Sequence, residues 1–348
     1  MVRAAKVHSG PVVHRRLLVI GCGDVVRRML PQLLQRWQVL ALVRVRDPYL
    51  AALGVRQVVG DLDQPGSLRR LAGLADAVLH SAPPPADGLR DTRMQHLISA
   101  LRRGKSLPRR WVYISTTGIY GDHQGGPVGE ALGAVRWGRR EKANAAEARR
   151  QGKKSARAIR RMDAERQLRG LMPTIKQIPQ PPAVRYRKPH PARHIRGGRC
   201  TLRPRACCVS ILRAPGIYAA DRLPLARLRE GLPLFLSDQD SYTNHIHALD
   251  LGRACQAALR RGRPNRAYNI CDDSALKMGE WFDLLADEFS LPRAPRLARE
   301  EVKQAVSPMQ WSFMRESRQL DNDRMKRELG VFLRYPTVES GIKKNNEK

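Results

Sequence analysis

The segment LLVIGCGDVVRRML, Leu17–Leu30, decides the fold of this chain. An apolar strand leads into a G-x-G turn, and an amphipathic helix follows. Such a turn is typical of a nucleotide-binding crevice, because the first amides of the helix and its dipole can hold a pyrophosphate. We expect Gly21 to make the tight turn and Gly23 to let the backbone approach the phosphates. Val26 replaces the third glycine that usually brings the helix close to the strand, so we expect the helix to be pushed outward or the packing around it to adjust.

Short apolar segments alternate with amphipathic ones from Leu17 to Gly121. The strand-like segments are RLLVIG, QVLALVR, VRQVVGDL, DAVLHSAPP and RRWVYISTTGIYG. Buried strands separated by helices predict a parallel sheet that is covered on both faces. With right-handed crossovers, this is an α/β fold with a doubly wound parallel sheet of the Rossmann type. The weaker strand and helix signals after residue 208 predict a smaller C-terminal α/β lobe.

The positive charge of the chain is concentrated in one region. The formal net charge is +32 at pH 7, and Gly133–Cys207 holds 22 lysines or arginines against 4 acidic residues. Residues 171–207 also carry seven prolines and show no periodicity. A basic block inside an otherwise moderate chain predicts long, disordered basic insertions rather than a nucleic-acid-binding fold. Nucleic-acid binding through these insertions is not expected, but it stays open because phosphate contacts alone could support it.

Other features narrow the class of protein. No apolar run approaches the ~18–20 residues of a membrane helix, so we expect no membrane association. The N-terminal residues lack the continuous apolar segment of a secretion signal. The six cysteines form no C-x-x-C pair, which predicts neither a metal site nor a disulfide framework. A reducing, cytoplasmic location fits this cysteine usage.

Several segments, taken in order, resemble the extended short-chain dehydrogenase/reductase superfamily, and more narrowly its NAD-dependent epimerase/dehydratase branch. The matching segments are VIGCGDV (19–25), VVGDLDQPGSL (58–68), VLHSAPP (78–84), WVYISTTGIYGDHQGGPVGE (111–130), DAERQL (163–168), SILRAPGIYAADR (210–222), YTNHIHALDLGRACQAAL (242–259), AYNICDDS (267–274) and NDRMKRELGVFLRYPTVESGI (322–342). The resemblance implies a dinucleotide-binding Rossmann part and a lobe that closes over a small-molecule substrate. It gives no oligomeric state.

The resemblance and the charge pattern together divide the chain into seven segments. They are an N-terminal tail (1–14), the NAD(P)-binding Rossmann part (15–132), a basic insertion (133–160), a returning helix of the Rossmann part (161–170), an Arg/Pro-rich insertion (171–207), the last Rossmann strand with the substrate lobe (208–342), and a C-terminal tail (343–348).

The residue that follows the second strand indicates which dinucleotide binds. NAD-binding folds place an acid about 20 residues after the glycine turn, where it binds the ribose 2′-hydroxyl. Here Arg44 lies 21 residues after Gly23, Arg46 is close by, and Asp47 is the nearest acid. A guanidinium suits a 2′-phosphate, so NADP is slightly favoured over NAD. Alternatively, both arginines are merely exposed on a very basic protein.

By resemblance, further residues belong to the cofactor site. Asp61 and Leu62 would flank the adenine. Ser81, Ala82 and Pro83 would pass under the pyrophosphate and ribose. The remaining positions that the resemblance assigns to the cofactor are Asp24 and Val25 at the helix start, Arg161, and Pro215, which lies with Arg213 and Gly216 near the nicotinamide.

The catalytic residues of the resembled superfamily are incomplete in this chain. Thr116, with Thr117 as an alternative, matches the hydroxyl that hydrogen-bonds the reacting oxygen. The superfamily's Tyr-x-x-x-Lys pair, in which the tyrosine is the general acid/base, is absent, since no Y-x-x-x-K occurs in the sequence. In register with Ala164-Glu165, arginines stand in its place, Arg157 for the tyrosine and Arg161 for the lysine. Candidate proton donors are Tyr120, Asp122, His123 and His245.

The segment TNHIHALD carries polar residues of the expected substrate lobe. His245 and His247 point to one face of a strand because they are two residues apart. No third ligand is evident, so we expect a rim of the active site with Asn244 rather than a metal site. Asp250 is expected to cap the helix that follows.

Two functions from different classes remain open. One is an epimerase/dehydratase- or reductase-like enzyme that uses NADP or NAD on a nucleotide sugar or a similar polar carbonyl or alcohol compound, with a non-standard active site. The other is a catalytically inactive NAD(P)-binding sensor or partner-binding protein, which the missing Tyr-Lys pair would explain.

Overall fold

The centre of the structure is a seven-stranded parallel sheet. The computed structural model describes residues 15–131, 155–171 and 207–343. From one edge to the other, the strands are Arg266–Asn269 (β11), Cys208–Ala214 (β7), Arg110–Thr116 (β5), Ala77–His80 (β4), Arg15–Ile20 (β1), Trp37–Val43 (β2) and Arg56–Val59 (β3). The winding direction reverses between β1 and β4, which creates the switch point where ligand crevices open in such sheets. The predicted doubly wound Rossmann sheet is confirmed.

Helices cover both faces of this sheet, which explains why its strands are continuously apolar. Leu17 and Val19 of β1 pack into the core on one face, whereas Leu18 and Ile20 pack into the core on the other. The first core is completed by helices Asp24–Leu34 (α1), Pro48–Ala52 (α2), Ala248–Arg261 (α6) and Asp323–Leu329 (α10). The second is completed by a 3₁₀ turn, Pro65–Leu71, and by helices Thr92–Arg102 (α3) and Ala156–Arg169 (α4).

The predicted smaller lobe has a hydrophobic core of its own, built around Tyr218, Phe235 and Trp281. Its short strands form parallel pairs, Gly216–Tyr218 (β8) with His245–His247 (β10), and Leu234–Phe235 (β9) with Arg296–Leu297 (β12). Pro127–Val128 (β6) pairs with Gln319–Leu320 (β13). The helices of this part are Leu225–Arg229 (α5), Met278–Glu288 (α7), Arg299–Ala305 (α8), Pro308–Met314 (α9) and Val338–Ile342 (α11).

One predicted boundary is wrong. Helix α4 begins at Ala156, where Ser155 Oγ accepts a hydrogen bond of 3.2 Å from the Ala158 amide, so residues 156–160 belong to the returning helix. Ser155 is thus the N-cap of α4, and the basic composition around it led the sequence analysis to assign these residues to the insertion. The remainder of both insertions (132–154 and 172–206), the N-terminal tail and residues 344–348 lie outside the described residues. Within the described ranges, no helix has the length and apolarity to cross a membrane.

A buried ion pair joins the centre of the sheet to α4. Arg213 of β7 and Glu165 of α4 have side chains only 1% and 3% exposed, and Nη2 lies 2.8 Å from Oε2. Ser115 of β5 donates to the same carboxylate at 2.6 Å. Arg213 Nη1 donates to the Tyr120 hydroxyl at 2.9 Å, and that hydroxyl donates to Asn269 Oδ1 at 2.6 Å. These contacts connect three adjacent strands, a helix and the turn after β5.

Breaking this pair from one side should be far costlier than removing both charges. We expect Arg213→Met to lower the free energy of unfolding by roughly 3–5 kcal/mol, because it leaves the Glu165 carboxylate buried without its cation. The double variant Arg213→Met/Glu165→Gln should recover part of that loss. Urea unfolding of the unchanged protein and the two variants measures these free energies. A free energy of unfolding for Arg213→Met within about 1 kcal/mol of the unchanged protein would contradict a stabilising role of the pair.

Candidate cofactor and substrate site

The glycine turn after β1 is fixed by its contact with the end of β4. Gly21 has a φ of +86°, and a Cβ there would lie 2.5 Å from the Ala82 nitrogen and 2.8 Å from its Cα. The amides of Ser81 and Ala82 donate to the Ile20 carbonyl at 2.8 and 3.1 Å. Ser81 Oγ also donates to the Gly21 carbonyl. Only glycine fits between these segments, and Ser81 supports the turn from behind.

The second glycine leaves the start of α1 open. A Cβ on Gly23 would meet no atom within 4 Å. Gly23 is the N-cap and offers no side-chain cap, so the first-turn amides, including those of Asp24 and Val25, can bind an anion. The Asp24 carboxylate accepts from Arg28 at 2.8 Å and Arg222 at 2.7 Å. Partial burial opposes ionisation, but these guanidiniums hold the pKa of Asp24 below its ordinary value.

Val26, which replaces the third glycine, is 1% exposed and belongs to the core between the sheet and α1. On the facing helix α6, a Cβ on Gly252 would lie 3.4 Å from Met29 Cβ, an ordinary van der Waals distance. The outward shift or local adjustment of α1 expected from Val26 stays a prediction.

A cavity of about 690 Å³ opens at the carboxyl ends of the central strands. It brings together seven of the residues that the sequence assigned to the cofactor: Gly21, Gly23, Arg44, Asp61, Leu62, Ala82 and Pro83. Arg27, Asp47 and Arg93 also line it, and the sequence did not single out the first and last of these. We call it the cofactor cavity.

The side chains that follow β2 differ in whether they have hydrogen-bond partners within the protein. The Asp47 carboxylate accepts from the Tyr49 amide at 3.0 Å and from Arg27, so it serves as the N-cap of α2. Arg44 is exposed, lines the cofactor cavity, and has no hydrogen-bond or ion-pair partner among the described residues. A guanidinium rather than a carboxylate is thus free to meet a ligand here.

A second cavity, of about 410 Å³, lies between the sheet and the smaller lobe. It is lined by Thr116, Thr117, Pro215 and Asn244, all predicted site residues. Thr116 Oγ1 accepts from the Gly118 amide at 3.2 Å, which orients the hydroxyl at the end of β5. We call it the substrate cavity. Pro215 belongs to this cavity rather than to the cofactor cavity.

The two arginines that replace the Tyr-Lys pair point to different places. Arg157 lines the substrate cavity and has no partner among the described residues. Partial burial, with Arg161 and Arg160 nearby, lowers the pKa of Arg157. Arg161 instead turns into the core, where Nη1 donates to the Tyr113 hydroxyl at 3.0 Å and to the Ile114 carbonyl at 2.9 Å.

Arg161 lines neither cavity. Its weak hydrogen bond of 3.4 Å to the Ala82 carbonyl places it behind the loop that closes on Gly21. It also lowers the pKa of the fully buried His80, which desolvation chiefly brings down to about 3. The structure therefore corrects the prediction that Arg161 contacts the cofactor. The side chain lies behind the loop at Ala82 and supports it from the core.

Two other residues that the sequence assigned to the site, Tyr120 and Arg213, lie in the core. Tyr120 donates to Asn269 and accepts from Arg213, and burial raises its phenol pKa to about 12. It lines neither cavity, so its proposed role as a proton donor is corrected. Arg213, expected near the nicotinamide, is instead the buried partner of Glu165. Strand-end periodicity cannot distinguish these inward positions from cavity positions.

The two histidines that we expected at the rim of the active site, His245 and His247, are buried. His245 packs against Tyr218 and Trp281, and desolvation lowers its pKa to about 3, which removes it as a proton donor at neutral pH. His247, not Asp250, is the N-cap of α6, and its ring accepts from the Leu249 amide at 3.3 Å. The expected capping role of Asp250 is therefore wrong.

Asp250 fixes the loop before α11 by hydrogen bonds. Both of its carboxylate oxygens accept from backbone amides, those of Arg334 and Tyr335, at 2.9 Å.

Asp122 and His123 fix the turn after β5 by hydrogen bonds to Ser317. Asp122 Oδ1 accepts from the Ser317 amide at 2.8 Å, and the His123 amide donates to the Ser317 carbonyl at 3.0 Å. Neither Asp122 nor His123 lines the substrate cavity.

The structure adds substrate-cavity residues that the sequence reasoning missed. Tyr242 lines it, Phe313 of α9 is 57% exposed at the wall, and Arg222 extends from the 3₁₀ turn Ala220–Arg222. The only indication of Tyr242 in the sequence is its position, directly before the TNHIHALD segment. No sequence pattern marks Phe313. In the described part of the chain, no group of three or more histidine, cysteine or acidic residues could hold a metal ion.

Comparison with known proteins gives the fold a context. No protein-family model and no curated protein matches the chain. A conserved protein of unknown function from Silicibacter pomeroyi matches at 24% identity over 94% of this chain and 96% of that one, with a TM-score of 0.65. A human epimerase family protein, SDR39U1, solved with NADPH, matches at 14% identity over 94% and 98%, with a TM-score of 0.63.

UDP-glucose 4-epimerase from Thermotoga maritima, solved with UDP-glucose, matches at 16% identity over 94% of this chain and 96% of that one, with a TM-score of 0.62. At such identities the likeness shows the fold. The chain has the Rossmann-type fold of these epimerase structures, as the resemblance to extended short-chain dehydrogenases/reductases predicts.

The two glycines of the turn should respond differently to the same added methyl group. Gly21→Ala should lower the free energy of unfolding by more than about 1 kcal/mol, since it combines a positive φ with backbone overlap. Gly23→Ala should stay within about 0.5 kcal/mol of the unchanged protein. Urea unfolding checks both, and equal losses in the two variants would contradict the assigned packing.

Proposed function

We propose that this chain binds NADP or NAD in the cofactor cavity and acts on a polar carbonyl or alcohol substrate, of which a nucleotide sugar is one example. The observation that carries the proposal is the cofactor cavity itself. It lies at the switch point of the sheet and contains the open helix start at Gly23. A solved neighbour with this fold is an epimerase family protein with NADPH, and another is an epimerase with UDP-glucose.

The residues present fit a dinucleotide. The space above Gly23 and the uncapped amides of α1 suit a pyrophosphate, and the apolar Leu62 beside Asp61 suits an adenosine. The free guanidinium of Arg44 favours a 2′-phosphate, whereas the Asp47 carboxylate already accepts from the Tyr49 amide and from Arg27. NADP is therefore the preferred cofactor of this proposal.

The proposed chemistry uses the residues that face the substrate cavity. A bound nicotinamide would supply or accept hydride. Thr116, held by the Gly118 amide, would donate to the reacting oxygen. Tyr242 offers the phenol of the cavity, and we assign it the proton transfer that the missing tyrosine performs in the resembled superfamily. Arg157 would hold a negative charge on the substrate, since its guanidinium lacks a carboxylate partner in the described residues.

The cofactor preference should depend on Arg44 alone. Arg44→Ala should weaken NADPH binding about 10-fold or more and leave NADH binding unchanged, because one charge-assisted contact to the 2′-phosphate is lost. Arg46→Ala is the matched control, since it removes a neighbouring exposed charge outside the cavity. Fluorescence titration measures the dissociation constants. Equal affinities of the unchanged protein for NADPH and NADH would contradict the preference.

Turnover should depend on the two hydroxyls of the substrate cavity. With NADPH or NADP and a panel of UDP-sugars and small polar carbonyl compounds, Thr116→Val and Tyr242→Phe should each lower kcat about 100-fold or more. The dissociation constant for NADPH should not change. Tyr49→Phe is the control, because it removes a phenol that lies outside both cavities. Full turnover by Tyr242→Phe would exclude its proton-transfer role.

A second function, cofactor binding without turnover, is favoured by one observation. Arg157 occupies the position of the catalytic tyrosine, and an arginine cannot exchange a proton near neutral pH. In this case the chain would bind NADPH as the titration expects, yet transfer no hydride to any member of the panel. Detectable turnover that Thr116→Val abolishes would exclude this second function.

A further inference from the structure

A third cavity, away from the cofactor and substrate cavities, carries a concentration of positive charge. It has a volume of about 340 Å³ and lies between α1, α6 and the loop after α10. None of its lining residues belongs to either of the other cavities. Five arginines line it: Arg28, Arg253, Arg260, Arg261 and Arg334. We call it the arginine cavity.

The charges of this cavity are only partly balanced. Arg28 is held by Asp24 and by both oxygens of Asp221 at 2.6 Å. Arg253 lies 3.7 Å from Asp250, whose oxygens already accept the amides of Arg334 and Tyr335. No aspartate or glutamate lines the cavity within the described ranges.

The other guanidiniums meet no carboxylate among the described residues. Arg261 donates to the carbonyls of Leu329 and Gly330, which fixes its position. The Arg334 guanidinium lies over the Tyr335 ring, with Cζ 5.7 Å from the centroid. Arg260 has no hydrogen-bond or ion-pair partner in the described part of the chain. Arg253 and Arg260 are seven residues apart on α6 and therefore share one face of it.

The rest of the lining combines apolar residues, two glutamines (Gln32 and Gln256) and an aromatic ring. Met29 and Gly252 form buried parts of the wall. Phe332 lines the cavity and is 81% exposed. An aromatic face beside several guanidiniums is the chemistry that stacks a base and binds phosphates. The volume lies in the range of small-molecule pockets, roughly 300–1,000 Å³, rather than of a surface for a protein partner.

We propose that the arginine cavity is a binding site for a nucleoside polyphosphate, separate from the dinucleotide site. Arg253, Arg260 and Arg334 bind the phosphates, and Phe332 stacks on the base. The cavity adjoins the outer side of α1, whose first turn forms the cofactor cavity.

The experiment uses the full chain with ATP and inorganic triphosphate as probes. Calorimetric titrations are run at about 150 mM salt, so that weak attraction to a basic surface is screened. We expect Arg253→Ala/Arg260→Ala to weaken ATP binding more than 10-fold. Phe332→Ala should weaken ATP binding about 5-fold or more and leave triphosphate binding unchanged, since only ATP has a base that can stack on the ring. These residues are exposed, and thermal unfolding verifies that the variants are folded.

Two controls separate this site from other anion-binding surfaces. Arg69→Ala/Arg70→Ala removes the same charge from an exposed 3₁₀ turn and should not change ATP binding. Arg44→Ala tests whether ATP occupies the cofactor cavity. Unchanged ATP affinity in Arg253→Ala/Arg260→Ala, or a loss in Arg44→Ala alone, overturns the proposal. An equal response of ATP and triphosphate to Phe332→Ala overturns the assignment of a nucleoside ligand.

Discussion

The buried pair of Arg213 and Glu165 is the interaction on which the substrate side of this fold depends. Both ions are withdrawn from water, so each needs the other and the hydrogen bonds around them. Ser115 and Arg213 come just before Thr116 and Pro215, which line the substrate cavity. The position of the cavity floor is thus set by a charged network one layer below it. This arrangement also explains why Tyr120 serves structure rather than proton transfer.

The cofactor side depends on steric fit instead of charge. Gly21 and Ala82 come so close that no side chain fits between them, whereas the space above Gly23 stays open. The first glycine is required by the packing of the protein, whereas the second leaves the start of α1 open. The same G-x-G pattern therefore combines a folding constraint and a binding feature, and only the structure separates the two.

The sequence predicted the sheet and brought several residues at its strand ends to one cavity, because both depend on local patterns. Apolar strands, glycine turns and strand ends fix which residues meet at one edge of a parallel sheet. Gly21, Arg44, Asp61 and Ala82 accordingly line one cavity. Burial of polar groups was harder to predict. Arg161 and His245 have patterns typical of sites, yet both are enclosed by partners distant in sequence, which no local pattern reveals.

The contacts of Asp24 connect the two lobes mechanically. Asp24 starts α1, Arg222 follows β8, and Arg28 reaches back to Asp221 in the same turn. Ion pairs from Arg222 to Asp24 and from Arg28 to Asp221 thereby join this turn to the start of α1. A second negative group at that helix end would compete with Asp24 for Arg222, which also lines the substrate cavity. Arg222 is thus one guanidinium shared between the start of α1 and the wall of the substrate cavity.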